Sequence, residues 1–155
     1  NLESLAAGTY LVKVVSKKPL AGYSNTTIDN KKPLSGMNVT MTKTLIVNEE
    51  KKLGKIQYIF CDDEYLLNVN REYLQHDFYT DIITFDYVKG KKISGDIFVS
   101  LPRIKDNAVQ LSTDENEELK RVLAHGILHL CGYKDKSEEE QAMMTEKENY
   151  YLSKY

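Results

Sequence analysis

The segment 122–135, which reads Val-Leu-Ala-His-Gly-Ile-Leu-His-Leu-Cys-Gly-Tyr-Lys-Asp, constrains the fold of this chain more than any other. At about 100° per residue, the apolar side chains in and just before it fall on one stripe, which predicts a helix buried in a core. The members of this stripe are Leu119, Val122, Leu123, Gly126, Ile127 and Leu130. Gly132 allows the left-handed residue that ends a helix and turns the chain back. Any fold of this chain must therefore bury this helix against other elements.

His125 and His129 are one helical turn apart at the edge of this stripe, so their side chains project together. Two imidazoles at positions i and i+4 can bind one metal ion without strain in the backbone. Asp135 comes six positions after His129, beyond the turn at Gly132, and its carboxylate can return to the same ion. Three protein ligands and one vacant position are typical of a catalytic zinc site. In the alternative interpretation, carbonyls or water satisfy the histidines and Asp135 caps or solvates the connection before Ser137.

The glycine at position 126 argues against one class of metal enzyme. Zinc peptidases with a similar histidine pair need a glutamate directly after the first histidine to act as general base. Glycine occupies that position here, so the sequence disfavours a zinc peptidase of that type.

Residue patterns along the rest of the chain predict an α+β fold. We predict strands over 9–15, 56–61, 82–87 and 93–100, the last two joined by a turn at Gly90 and therefore antiparallel. We predict helices over 62–74, 102–110 and 112–131, and a last helix opened by a capping box from Ser137 to Glu140. Residues 17–36 have the composition of a loop. In the stretch 37–53, the first residues favour a strand, and we predict a helix for the second half. The prediction is a small mixed sheet of about four strands, covered by four or five helices, with a metal site at the end of a central buried helix.

Composition narrows the function classes. A chain of 155 residues with 41% hydrophobic content fits one domain, and 21 basic against 23 acidic side chains give a net charge of −2. Any contact with nucleic acid must therefore be local. We expect no membrane span, because the apolar runs are far shorter than about 20 residues, and no signal peptide, because no basic-then-apolar leader is visible. Cys61 and Cys131 are expected to be free thiols in a reducing compartment, which favours the cytoplasm.

The segment His125-Gly-Ile-Leu-His129-Leu-Cys-Gly132-Tyr133 resembles the signature of the YbeY family, bacterial metal-dependent endoribonucleases of rRNA maturation. Other motifs agree in order and spacing: Leu67-Asn68, Asp77-x-x-Thr80-Asp81-Ile-Ile-Thr-Phe85 and Gly95-Asp96-Ile97. The resemblance runs from about Ile56 to Met144. It implies a YbeY-like domain over residues 37–155, preceded by a divergent segment of the same domain, a strand and a long loop, over residues 1–36.

This resemblance implies a single-strand-specific endoribonuclease that acts in 16S rRNA 3′ end processing and in ribosome quality control. The implied partners are RNA and the ribosome or small-subunit assembly factors, and no oligomeric state is predicted. The implied cofactor is zinc, bound by His125, His129 and Asp135. Another divalent ion is an alternative, because the family most often has a histidine where Asp135 stands and oxygen selects zinc less strongly than nitrogen does. Another metal-assisted hydrolase on this scaffold and a non-enzymatic, metal-stabilised ribosome-associated protein are the alternative functions.

The family also has a functionally important arginine between the Leu-Asn and Thr-Asp motifs. Counting four residues forward from Asn68 leads to Glu72, and counting back from Asp77 leads to Leu74. The nearest guanidinium belongs to Arg71, which is therefore the candidate catalytic residue.

One region of the sequence has a local excess of positive charge that could follow a phosphate backbone. Its members are Lys89, Lys91, Lys92, Arg103 and Lys105. A solvated hairpin would explain the same charges. Asp81 and Asp96 could orient ligands or carry protons, although aspartates beside Thr or Gly at strand ends also make turns.

Overall fold

A computed structural model of the chain describes residues 2–6, 9–12, 26–28 and 37–155, with the surroundings of side chains described from Val39 onward. Within these ranges the elements are, in chain order, β1 (Leu2–Ala6), β2 (Thr9–Val12), β3 (Thr26–Ile28), α1 (Met37–Asn48), β4 (Lys52–Cys61), α2 (Asp63–Leu74), β5 (Ile82–Asp86), β6 (Lys92–Ser100), α3 (Leu101–Gln110), α4 (Glu115–Leu130) and α5 (Glu138–Leu152). None of the helices described is long and apolar enough to cross a membrane.

Strands β3 to β6 form one mixed sheet in the order β3-β4-β6-β5. The central strands β4 and β6 are parallel, whereas β3 and β5 join them antiparallel. Strands β1 and β2 form a separate antiparallel pair. The α+β prediction, with about four strands in a mixed sheet and four or five helices, is therefore confirmed for the described residues.

Helix α4 lies at the centre of the core, as its apolar stripe predicts. It packs against α1, α3, α5, β5 and β6, and from Leu119 onward most of its side chains are buried. A Cβ atom added to Gly126 would lie 2.8 Å from Cδ1 of Ile82 and 3.3 Å from Cγ2 of Ile97. The helix approaches the sheet closely at Gly126, so a glutamate side chain there would point into the packed contact with Ile82 and Ile97.

Local signals between residues 56 and 155 predict the elements well. Asp62 caps α2, and β5 and β6 form the predicted antiparallel hairpin. Pro102 lies in the first turn of α3, as its missing N–H favours. Asp114 caps α4, and Ser137 and Glu140 form the predicted capping box of α5.

The prediction for residues 37–53 is wrong in its first half and at its end. The residues that favour strand form α1, which continues as helix to Asn48, whereas β4 begins at Lys52, where the sequence favours the end of a helix. The reason is tertiary packing: Met41, Leu45 and Ile46 are fully buried on α1, which contacts α4 and β4. Burial of this face outweighs the strand propensity of the β-branched residues.

The N-terminal segment contains two strands that the sequence does not predict. The first is β1, which pairs with β2. The residues interpreted as loop over 17–36 include β3, whose Thr26 pairs with Tyr58 of β4, while most of the other residues there lie outside the described ranges. The strand predicted over 9–15 is observed as β2, and residues 13–15 lie outside those ranges.

Candidate metal centre

Helix α4 presents His125 and His129 on the same side of its C-terminal half. Their Nε2 atoms are 2.9 Å apart, and Oδ2 of Asp135 lies 3.2 Å from Nε2 of His125 and 3.3 Å from Nε2 of His129. Gly132, with φ of 107°, turns the chain after α4 and so returns Asp135 to the histidines. The structure thus brings the three predicted ligands together. Among the described residues, these three side chains form a group in which the potential ligand atoms all lie within 4.8 Å of one another.

Each histidine ring is held through its Nδ1 atom. Nδ1 of His125 lies 2.8 Å from Oε2 of Glu148, and Nδ1 of His129 lies 3.0 Å from the carbonyl oxygen of Tyr133. An ionised carboxylate and a carbonyl oxygen only accept hydrogen bonds, so both Nδ1 atoms must carry the proton and donate it. In the neutral rings, the lone pairs are then at the two Nε2 atoms.

The two Nε2 lone pairs and the Asp135 carboxylate consequently face one another without a hydrogen-bond donor between them. A proton or a cation must compensate this arrangement of electron pairs. Two imidazole nitrogens and a carboxylate oxygen are the ligand types of divalent transition-metal sites. The residues present therefore fit a metal centre, and the group fits a metalloenzyme.

Glu148 of α5 is a functional neighbour that sequence reasoning missed. Its side chain is 10% exposed, and its Oε1 accepts a hydrogen bond from Nη1 of Arg121 at 2.9 Å. It lies 23 residues beyond His125, so no local motif connects the two. The available signal was an acidic residue on a buried stripe with helical spacing, since Met144, Glu148 and Tyr151 are the buried residues of α5.

Carboxylates dominate the electrostatics around His125. Burial by itself lowers the pKa of His125, but the hydrogen bond to Glu148 and the charges of Glu148, Asp135 and Asp81 raise this pKa overall. Burial raises the pKa of Asp81, whose Oδ2 accepts from Nδ2 of Asn107 at 3.1 Å. These negative groups favour a cation at the centre.

The three ligand side chains line a cleft of about 850 Å³. This volume lies within the range of small-molecule sites. Residues of β5, which is an edge strand of the sheet, line the cleft together with residues from the connections after α2 and after α4. Asp81 is among the lining residues, whereas Asp96 accepts a hydrogen bond from the hydroxyl of Tyr87 at 3.1 Å and is not one of them.

Arg71 does not lie beside the histidine pair. It is on the exposed side of α2, where its guanidinium forms an ion pair with Asp77. It is not among the residues that line the cleft. The catalytic role that the resemblance implies for Arg71 therefore stays a prediction, and the position of Arg71 outside the cleft lining does not support it.

The five basic residues predicted to bind RNA do not form one patch. Lys89, Lys91 and Lys92 lie at the turn between β5 and β6, whereas Arg103 and Lys105 lie on α3, which begins where β6 ends. Eight steps of about 3.3 Å along β6 separate the two groups by roughly 26 Å. Arg103 is also engaged within the fold, since its Nη2 lies 2.7 Å from Oδ2 of Asp63.

Comparison with known proteins identifies the relatives of this fold and site. The family model described as Endoribonuclease YbeY matches residues 23–155. The protein named Endoribonuclease YbeY of Flavobacterium johnsoniae is 59% identical over 111 residues, which cover 72% of this chain and 80% of that protein. The protein of the same name from Parabacteroides distasonis is 54% identical over 123 residues, covering 79% of this chain and 84% of the relative. The solution structure of a Thermotoga maritima protein has the same fold, with a TM-score of 0.56 at 24% identity, covering 75% of this chain and 77% of that one.

Proposed function

This chain belongs to the endoribonuclease YbeY family, and on that premise we propose that it is a metal-dependent endoribonuclease that cleaves single-stranded RNA. The observation that carries the proposal is the convergence of His125 Nε2, His129 Nε2 and Asp135 Oδ2 on one wall of an open cleft. The relatives bear the name endoribonuclease, and this arrangement supports hydrolysis assisted by a metal ion.

We assign zinc as the ion, because two imidazole nitrogens and one carboxylate oxygen suit it, with another divalent ion as the alternative. A bound divalent ion supplies Lewis-acid stabilisation of charge at a scissile phosphate. Glu148 and the Tyr133 carbonyl hold both imidazoles in the tautomer whose lone pair faces inward. Asp81 lines the same cleft, and its raised pKa suits a carboxyl that exchanges a proton in the reaction.

The proposal includes the biological setting that the family resemblance implies. The substrate is a precursor of rRNA, processed at the 3′ end of 16S rRNA, and the role extends to ribosome quality control. The partners are the ribosome or small-subunit assembly factors. Cys61 and Cys131 are free thiols, which supports a reducing compartment and thus the cytoplasm.

Cleavage of single-stranded RNA by purified protein tests this function. We expect cleavage that a chelator abolishes, that returns with zinc or another divalent ion, and that the His129→Ala variant lacks. Equal cleavage by wild type and His129→Ala would identify a contaminating nuclease and contradict the proposal.

Elemental analysis tests the metal centre separately. The His125→Ala, His129→Ala double variant should lose the ion, whereas His76→Ala is the matched control because it removes a histidine outside the ligand group. Full metal occupancy in the double variant would disprove the assigned site.

A further inference from the structure

Two aromatic rings from the connection between α2 and β5 face the cleft that contains the metal centre. The rings of His76 and Phe78 are stacked, with centroids 5.1 Å apart and planes inclined by 20°. Both residues line the same cleft as His125, His129 and Asp135. Phe78 is nevertheless 56% exposed. More than half of this residue is therefore accessible to a ligand that enters the cleft.

Contacts at Phe78 and at the two residues before it hold this connection in place. The backbone N–H of His76 donates to the carbonyl oxygen of Asn70 at 3.1 Å. The side chain of Asn70 is buried, and its Nδ2 donates to the carbonyl oxygen of Phe78 at 2.9 Å. Arg71 pairs with Asp77, the residue between the two rings. The backbone is therefore fixed while the Phe78 ring remains accessible in the cleft.

We propose that Phe78, backed by His76, is a stacking platform for one unpaired nucleobase of an RNA strand that passes the metal centre. Aromatic rings stack on bases of any sequence, because every base has a π face. A base within a duplex already stacks on its neighbours, so the platform selects single-stranded RNA. The proposal rests on the proposed function and names the feature of the substrate that the site recognises.

The cleft also contains cationic side chains that suit a phosphate backbone, beside the carboxylates of Asp81, Asp86 and Asp135. Lys134 and Lys136 line the cleft on the connection that also carries Asp135. Their ammonium groups can neutralise phosphates adjacent to the stacked base. Together with the metal centre, they provide a path for a phosphate backbone beside a flat aromatic surface.

Binding of a short, labelled single-stranded oligoribonucleotide with phosphorothioate linkages, which resist cleavage, tests the platform on the metal-loaded protein. Phe78→Ala should weaken binding by about 5- to 150-fold, the range found when one base-stacking ring is removed. Phe78→Tyr should bind like wild type, whereas Phe78→Leu, which is apolar but has no ring, should bind like Phe78→Ala. Tyr150→Ala is the matched control, since Tyr150 is 50% exposed and lies outside the cleft lining.

A second measurement detects the stacking itself. The chain contains no tryptophan, so Phe78→Trp introduces a single fluorophore at the platform. Single-stranded RNA should quench its emission, duplex RNA should not, and Tyr150→Trp should be unaffected by either. Metal content equal to that of wild type verifies that each variant retains its fold.

Wild-type affinity in Phe78→Ala or in Phe78→Leu would overturn the platform, and so would equal quenching of Phe78→Trp by single-stranded and duplex RNA. These results leave the proposed nuclease function standing if wild type still cleaves RNA. Conversely, ring-dependent binding and quenching without cleavage by the metal-loaded wild type would contradict the nuclease function and support the platform.

Discussion

The Glu148→Gln substitution should weaken metal binding although Glu148 is not itself a ligand. Oε2 of Glu148 lies 2.8 Å from Nδ1 of His125, and Oε1 lies 2.9 Å from Nη1 of Arg121. Both partners donate, and a carboxylate can accept from both. Glutamine has the same size but only one acceptor oxygen, so its amide NH₂ must face one of the two donors.

The size of the effect follows from this loss. Removing an outer partner of a metal-bound histidine costs about 10- to 100-fold in metal affinity, which equals about 1.4 to 2.7 kcal/mol. Because the Glu148 side chain is only 10% exposed, water cannot readily replace the missing acceptor. We therefore expect the upper half of that range for zinc.

Competition against a chromophoric chelator measures the zinc dissociation constant, and ¹⁵N NMR of the metal-free protein reports which nitrogen of His125 carries the proton. Glu118→Gln is the matched control, because Glu118 is also buried and lies on α4, but two turns away from His125. Wild-type affinity and an unchanged His125 tautomer in Glu148→Gln would refute the reasoning. An equal loss of affinity in Glu118→Gln would refute it too, because the cause would then be general loss of negative charge.

Three further predictions concern ligand chemistry, ionisation and packing. Asp135→Asn should preserve the turn but lower both zinc affinity and RNA cleavage, and Asp135→His should raise the preference for zinc over manganese; wild-type affinity in the Asn variant would exclude Asp135 as a ligand. Burial raises the pKa of the Cys61 thiol to about 12, whereas an unfolded thiol ionises near pH 8.5. The folded state then keeps a proton that the unfolded state loses, so this thiol should reduce the free energy of unfolding by up to about 1.4 kcal/mol per pH unit above pH 8.5. The pH dependence of the free energy of unfolding, measured from urea melts, should differ by this amount between wild type and Cys61→Ala, and an equal pH dependence would contradict the prediction. A Cβ atom at Gly95 would lie 2.5 Å from the carbonyl oxygen of Phe85 on the paired strand. Gly95→Ala should therefore lower the free energy of unfolding by about 1 to 3 kcal/mol, and an unchanged urea midpoint would argue against this close approach.

The sequence allows the parts of the fold that depend on local spacing to be predicted. The position of α4, the hairpin around Gly90 and the return of Asp135 after Gly132 each follow from residues close together in the chain. The apolar stripe and the i, i+4 histidines suffice to place two ligands on one face of a buried helix.

Features that depend on packing between distant segments could not be predicted in this way. Helix α1 contains many residues that favour strands, and it is helical because one of its faces is buried against α4 and β4. Glu148 reaches His125 because α5 packs on α4, a contact that no local pattern encodes. The basic residues show the same limit, since Lys92 and Arg103 are near in sequence but lie at opposite ends of β6, and their binding of RNA stays a prediction.

The contact between Glu148 and His125 also has a consequence for the order of events during synthesis of the chain. The three ligands lie on α4 and the connection after it, but the carboxylate that sets the His125 tautomer arrives with α5. A nascent chain that has reached residue 135 already contains every ligand and still lacks the partner that orients His125. The centre should therefore reach its full affinity for metal only after α5 has been translated and has packed on α4.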